Sequence, residues 1–263
     1  MDEDMYLKLR NLKRLAFIGL IAIFSIRLHA EEVPIKNIVL VHGAFTDGSS
    51  WSEVITRLQS LGYHVTAVQN PLTSLRDDVA ATRRVLERQQ GDVLLVGHSW
   101  GGAVITEAGN AANVKGLFYL SALVPDSNES VADVLQRLKA PMEGMQADSN
   151  GFIWLDDPKI FHDVMANDMS QKKAALLASV QQPIAAGAFS EKITQAAWRN
   201  KPSGYLVTEN DHALQPAVQS RFASAIGANT TMLNASHMSM VSHPEKVAEL
   251  IDKAAREMTP SDQ

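Results

Sequence analysis

Three side chains of the types needed for covalent acyl transfer stand far apart in this chain: Ser99, Asp211 and His237. A serine hydroxyl is a poor nucleophile until a base takes its proton, and the base works only when a third group holds its ring. Ser99 lies in Gly97-His98-Ser99-Trp100-Gly101, a G-x-S-x-G spacing that sets a serine on a sharp strand-to-helix turn. Gly97 and Gly101, with Gly102 behind, supply backbone without side chains where the two elements pass closest. The turn also places the hydroxyl at a helix N-terminus, where free amides favour developing negative charge. By itself the spacing is a weak signal, because chance produces it in about one chain in ten of this length. A glycine-rich turn with an inert serine would read the same.

The flanks strengthen it. Asp92 to Val96 is a short apolar run behind a Gly91-Asp92 turn and predicts a buried strand. From Trp100 the pattern becomes helical, with Ala103, Val104, Ala108 and Ala111 on one face. The same beat runs along the chain. Strands are expected at Ile38 to Val41, His64 to Val68, Val114 to Ser121, Tyr205 to Val207 and Thr230 to Leu233. Helices are expected from Trp51 to about Leu61 (capped by Ser50), Leu75 to Gln89, Gln215 to Ile226, and Pro244 to about Met258. Alternating strands and helices imply parallel pairing with right-handed crossovers, and apolar strands without alternation imply a sheet covered on both faces. Between residues 127 and 203 the beat is lost. Met142, Met145, Met165, Met169, Phe152, Trp154 and Phe161 fall there, and the stretch reads as an inserted cap of short helices over the C-terminal edge of the sheet.

Asp211 follows the strand after that insertion, and His237 follows the last strand. Both therefore fall where open α/β sheets place their ligand sites, and the chain order is serine, acid, histidine. Glu209 and Asp126 compete with Asp211 for the acid role. Among the other histidines, His42 and His98 flank glycines and are expected to support backbone or packing. An oxyanion hole must come from backbone amides, since nothing polar sits beside Ser99. Trp100, the residue after the serine, supplies one; Ala44 after His42-Gly43 supplies the other, with Phe45 as the alternative second amide. No metal-ligand spacing and no phosphate-binding glycine loop occur in the sequence, so neither metal nor cofactor is expected.

Composition narrows the class. The 263 residues are 46% hydrophobic and 20% charged, with a net charge of −5, which offers nothing to a nucleic acid. There is no cysteine, hence no disulfide and no thiol nucleophile. Lys8, Arg10, Lys13 and Arg14 precede an apolar run from Leu15 to Ile26, and small Ala30 stands before Glu31. That order predicts an export signal over residues 1–30, leaving a periplasmic or secreted chain; the alternative is a retained membrane anchor. Residues 31–263 then form the folded domain.

Together, Val41-His42-Gly43-Ala44-Phe45, Val96-Gly97-His98-Ser99-Trp100-Gly101-Gly102, Asn210-Asp211, Ala235-Ser236-His237 and Ser242-His243-Pro244 carry a family resemblance. From about Asn37 to Ile251 the chain resembles the α/β-hydrolase superfamily, in its branch of plant methyl esterases, hydroxynitrile lyases and bacterial esterase relatives. The resemblance implies a triad of Ser99, Asp211 and His237 with an oxyanion hole of Ala44 and Trp100 amides. It also implies six mainly parallel strands without the family's leading hairpin, helices on both faces and an inserted helical cap. Hydroxynitrile lyases carry a lysine directly after the histidine, where this chain has Met238, which disfavours cyanohydrin cleavage. A serine in place of an aspartate nucleophile argues against epoxide hydrolases and dehalogenases. The expectation is thus a cofactor-free serine esterase acting on a small, apolar ester. A lyase or perhydrolase on the same triad, or a silent ligand-binding module, are the competing readings.

Overall fold

The computed structural model describes residues 35–140 and 145–258; the expected signal segment and Met142 lie outside them. The six expected strands become one parallel sheet. Its strands are β1 (Asn37–Val41), β2 (His64–Val68), β3 (Val93–His98), β4 (Val114–Leu120), β7 (Ser203–Thr208) and β8 (Asn229–Leu233). They lie in the order β2-β1-β3-β4-β7-β8, and every neighbouring pair is parallel. After β2 the chain crosses back to add β3 on the far side of β1. The loops leaving β1 and β3 therefore diverge from one crevice, the switch point at which such sheets hold their ligands.

Burial follows strand position. Every residue of β1 and β3 is buried, as a central strand covered on both faces requires, whereas the edge strands β2 and β8 are partly exposed. Helices α1 (Ser52–Ser60), α2 (Leu75–Leu86) and α3 (Gly101–Ala108) connect the first four strands. A further helix, α7 (Pro216–Ala225), lies between β7 and β8. After β8 come a single turn, α8 (Ser239–Ser242), and the closing helix α9 (Pro244–Glu257). Helix α9 packs on α1, and α2 packs on α3. Proline opens α9, where its missing N–H costs nothing, and Val247, Ala248, Leu250, Ile251, Ala254 and Ala255 form its buried stripe.

Two boundaries differ from the sequence reading for local reasons. A short 3₁₀ turn, Gly48–Trp51, precedes α1, and Asp47 caps it by accepting from the Ser49 amide. Ser50 lies inside that turn, its hydroxyl bonded back to the Asp47 carbonyl, and does not cap α1. Helix α2 begins on Ser74, which accepts from the Asp77 amide, and ends at Leu86, short of Gln89.

The stretch 127–203, expected as an inserted cap, carries α4 (Val131–Arg137), α5 (Pro158–Met165) and α6 (Gln171–Ser179). It also carries a small antiparallel pair that the sequence pattern did not reveal, β5 (Phe152–Ile153) with β6 (Ile184–Ala185), because two-residue strands have no period to read. Phe161, Met165, Ile184 and Phe189 are buried in the same core as the sheet, while Trp154 is about half exposed.

The tightest backbone approach is at the turn after β3. A Cβ on Gly101 would lie 2.5 Å from the Val41 carbonyl oxygen, and one on Gly97 would lie 2.6 Å from the Gly101 carbonyl oxygen. Neither neighbour is a side chain able to swing away. Gly101→Ala should therefore lower the free energy of unfolding by about 2–3 kcal/mol, measured by urea denaturation. A variant as stable as the parent would mean that β1 can yield.

Candidate active site

Ser99 occupies the turn between β3 and α3 with φ of +52°, a left-handed conformation rare for a residue with a side chain. Backbone bonds from β4, the loop after it and the head of α3 hold it there. Its amide donates to the Leu120 carbonyl at 3.1 Å, and its carbonyl accepts from Leu123 at 3.0 Å and from Gly102 at 2.9 Å. Strain of this kind persists only where the surroundings over-determine it, as they do here. Gly43 lets the loop after β1 come close, since a Cβ there would lie 2.7 Å from the Ser99 Cβ.

At the end of the sheet's other half, the turn after β7 presents Asp211 and the loop after β8 presents His237, both buried. His237 Nδ1 donates to Asp211 Oδ2 at 2.7 Å. That bond places the second ring nitrogen, Nε2, as the basic one. The carboxylate is fully engaged. Oδ1 accepts from the Ala213 and Leu214 amides, each at 2.8 Å, and Oδ2 also accepts from the Thr208 hydroxyl and Gln219 Nε2, each at 2.8 Å. The competing acids lie elsewhere: Asp126 is paired with Arg199, and Glu209 is exposed. Ser99 and His237 line one cavity of about 640 Å³, with Ala44, Phe45 and Trp100 on its wall.

The two amides nearest the serine are open. No group among the described residues accepts from the Ala44 or Trp100 amide, whereas the Phe45 amide donates to the Gln182 carbonyl at 3.2 Å. The Phe45 amide is thus already engaged, whereas the Ala44 amide is not. Neither the Ala44 nor the Trp100 amide would have to break a protein bond to receive an oxyanion.

The flanking histidines are neutral supports. His98 Nε2 donates to the His237 carbonyl at 2.9 Å; burial, and then the His237 charge, hold its pKa well below the ordinary histidine value. His42 Nε2 accepts from the Asn70 amide at 2.9 Å, so its Nδ1 is the donor to the Gly43 carbonyl at 2.8 Å. Burial lowers its pKa too.

Sequence reasoning missed several residues. Gln219 and Thr208 hold Asp211. Asp168, from the insertion, accepts from the Ser236 amide at 2.9 Å and the Ser242 hydroxyl at 2.8 Å, bracketing His237. The Met238 amide donates to the Met165 carbonyl, so the insertion touches the histidine loop twice. Asp78, fully buried in α2, accepts from the Leu72 amide at 2.8 Å and from the Trp100 indole at 2.7 Å. Its signal was present: Leu75, Asp78, Val79, Thr82 and Leu86 share one helical face, so its spacing placed a carboxylate among core residues. No group of histidines and acids able to hold a metal exists among the described residues.

Residues 38–250 match the sequence profile of a family described as the alpha/beta hydrolase family. The chain is 31% identical over 244 residues to alpha/beta hydrolase nvfD of Aspergillus novofumigatus, covering 84% of this chain and 96% of that protein. It is 23% identical over 248 residues to polyneuridine aldehyde esterase of Rauvolfia serpentina, covering 82% of this chain and 94% of that one. The crystal structure of a pyrethroid hydrolase from Sphingobium faniae superposes with a TM-score of 0.70 at 21% identity, covering 84% of this chain and 97% of that one.

Burial raises the Asp78 pKa from 3.8 to about 6, against the opposing pull of its two N–H donors. A carboxyl whose folded pKa is raised contributes stability below its unfolded pKa and loses it as pH climbs through the folded value. Two pH units correspond to about 3 kcal/mol. The unfolding free energy of the parent, relative to Asp78→Asn, should thus drop by about that much between about pH 4 and pH 7 in parallel denaturation curves. A difference independent of pH would show that Asp78 ionises normally.

Proposed function

The chain belongs to the alpha/beta hydrolase family, and from that premise we propose that it is a serine esterase whose triad is Ser99, His237 and Asp211. One observation carries the reading: a buried, fully bonded Asp211–His237 pair opens on the same cavity as a serine held at positive φ between two unpaired amides. Relatives named as esterases and hydrolases support ester cleavage as the chemistry.

The proposed steps are those of a serine acyl transfer. His237 Nε2 takes the Ser99 proton as Oγ attacks the ester carbonyl carbon, and Asp211 keeps the ring in the required tautomer and stabilises the imidazolium. The carbonyl oxygen becomes an oxyanion facing the Trp100 and Ala44 amides. Each such donor is worth about 3–4 kcal/mol in the transition state. His237 then gives its proton to the alkoxide oxygen, the alcohol departs, and Ser99 carries the acyl group. Water, deprotonated by His237, attacks the acyl carbon; collapse releases the acid and restores the hydroxyl.

The cavity wall supports an apolar substrate. Leu135, Leu155, Ile160, Val164, Met165 and Phe189 line it, and no lysine, arginine, aspartate or glutamate does so among the described residues. Beyond Ser99 and His237, a charged acyl group would meet only the polar side chains of His212 and Gln215 there, whereas a hydrophobic one would be desolvated. Export remains part of the proposal; the basic and then apolar order of residues 8–26 supports it.

A panel of p-nitrophenyl esters tests both parts. kcat/KM should rise about fourfold per added acyl methylene, the value of about 0.8 kcal/mol per buried group, until the cavity is full. A hemisuccinate ester, which carries a carboxylate, should fall below its neutral isostere by tenfold or more. Ser99→Ala should lose about a millionfold in kcat with an unaltered melting temperature. Turnover by that variant within tenfold of the parent would remove Ser99 from the mechanism.

A further inference from the structure

We propose that Asp78 is a positioning residue for the oxyanion hole, fixing Trp100 so that its backbone amide stays aimed at the carbonyl of the bound ester. The inference rests on the serine-esterase reading above and adds to it a residue outside the triad and outside the two amide donors.

The carboxylate is fully buried and no lysine or arginine pairs with it among the described residues; the charges nearest in effect are the like charges of Asp77 and Glu191. Its two oxygens are divided between two donors on different segments. Oδ2 takes the indole N–H of Trp100 and Oδ1 takes the amide of Leu72. The indole itself has one seat: it is buried and packs edge-to-face on Phe189 with ring centroids 5.1 Å apart. The residue whose main-chain amide flanks Ser99 is therefore pinned through its side chain by Asp78.

The second oxygen leads to the other amide. Leu72 stands at φ +56°, a strained conformation, and its carbonyl accepts from Ala185 at 2.9 Å. Two residues earlier, Asn70 bonds His42 twice: its amide donates to His42 Nε2, and its side chain donates to the His42 carbonyl at 3.0 Å. His42 Nδ1 holds the Gly43 carbonyl, which belongs to the peptide whose N–H is that of Ala44. The two donors of the hole are thus joined through a single buried carboxylate. Oxyanion donors act in the transition state and lose effect when displaced by fractions of an ångström. A group that sets their spacing should act on kcat.

Two variants test this. Asp78→Asn keeps the shape but has only one acceptor oxygen, so its NH₂ must face one of the two N–H donors. Trp100→Phe keeps the carboxylate and removes the indole donor, which preserves a readout if the first variant folds poorly. Each should lower kcat by ten- to a hundredfold with KM within threefold, and each should weaken binding of a trifluoromethyl ketone, which forms an oxyanion adduct with the serine, by the same factor. In the double variant the asparagine oxygen serves Leu72 and its NH₂ meets no opposing donor, so the combined loss should be smaller than the product of the two. Unaltered kcat and unaltered ketone affinity in both single variants would overturn the assignment. So would losses that multiply, or a rise in kcat on removing the charge. An active Ser99→Ala enzyme would instead overturn the underlying esterase reading, so the two failures are distinguishable.

Discussion

The fold turns on one backbone conformation, the left-handed turn at Ser99. A residue with a side chain adopts it at a cost of about 1–3 kcal/mol, and the surrounding bonds must offset that. Here they come from Leu120 at the end of β4, from Leu123 in the loop that follows it, and from Gly102 at the head of α3. The glycines around the turn are required by contact rather than by their own φ angles. Val41 approaches Gly101, and Ser99 itself approaches Gly43, at distances that exclude a methyl group. Sheet order makes this arrangement available. Because β1 and β3 are neighbours whose connections run to opposite sides, the loop bearing Ala44 and the turn bearing Ser99 meet at one crevice.

Around that turn side-chain hydrogen bonds fix Asp211, His237 and the two flanking histidines. Asp211 is saturated with donors, so its carboxylate has no spare capacity and one use, holding the His237 ring. His98 and His42 are kept neutral by burial and serve as fixed supports for backbone carbonyls. The insertion is tied into the same frame. Asp168 and Met165 bond both sides of His237, and Asn167 and the Asp163 carbonyl bond the Asp211 loop through Asn210 and His212. The segment that lines the cavity therefore also braces the loops carrying His237 and Asp211.

Much of this is legible from residue order. The strands β1, β3, β4 and β7 are buried on both faces and announce themselves as apolar runs, and each candidate residue stands just past one strand's end. Ser99, Asp211, His237, Ala44 and Trp100 all follow from that rule of position. What escapes has a common physical cause: it depends on partners that only the fold brings near. Asp126 also stands past a strand's end and competes with Asp211 in sequence, and Arg199 on one and His237 on the other tell them apart. Phe45 and Ala44 are told apart by Gln182, far along the chain, which accepts the Phe45 amide, and by the left-handed φ of +60° at Phe45. The insertion is the least readable part, since two-residue strands and short helices carry little periodicity. Asp78 is the exception, because its helical spacing among Leu75, Val79 and Leu86 is enough to assign it to the buried face.

The central claim is that the hydroxyl at position 99 is made nucleophilic by the imidazole at position 237. Reaction with a fluorophosphonate, followed by peptide mass spectrometry, reads that property directly. The account predicts one covalent adduct, on Ser99, forming at least a thousandfold more slowly in His237→Ala, of the order expected when a general base is lost. Labelling at another residue, or at an equal rate without the imidazole, would contradict it.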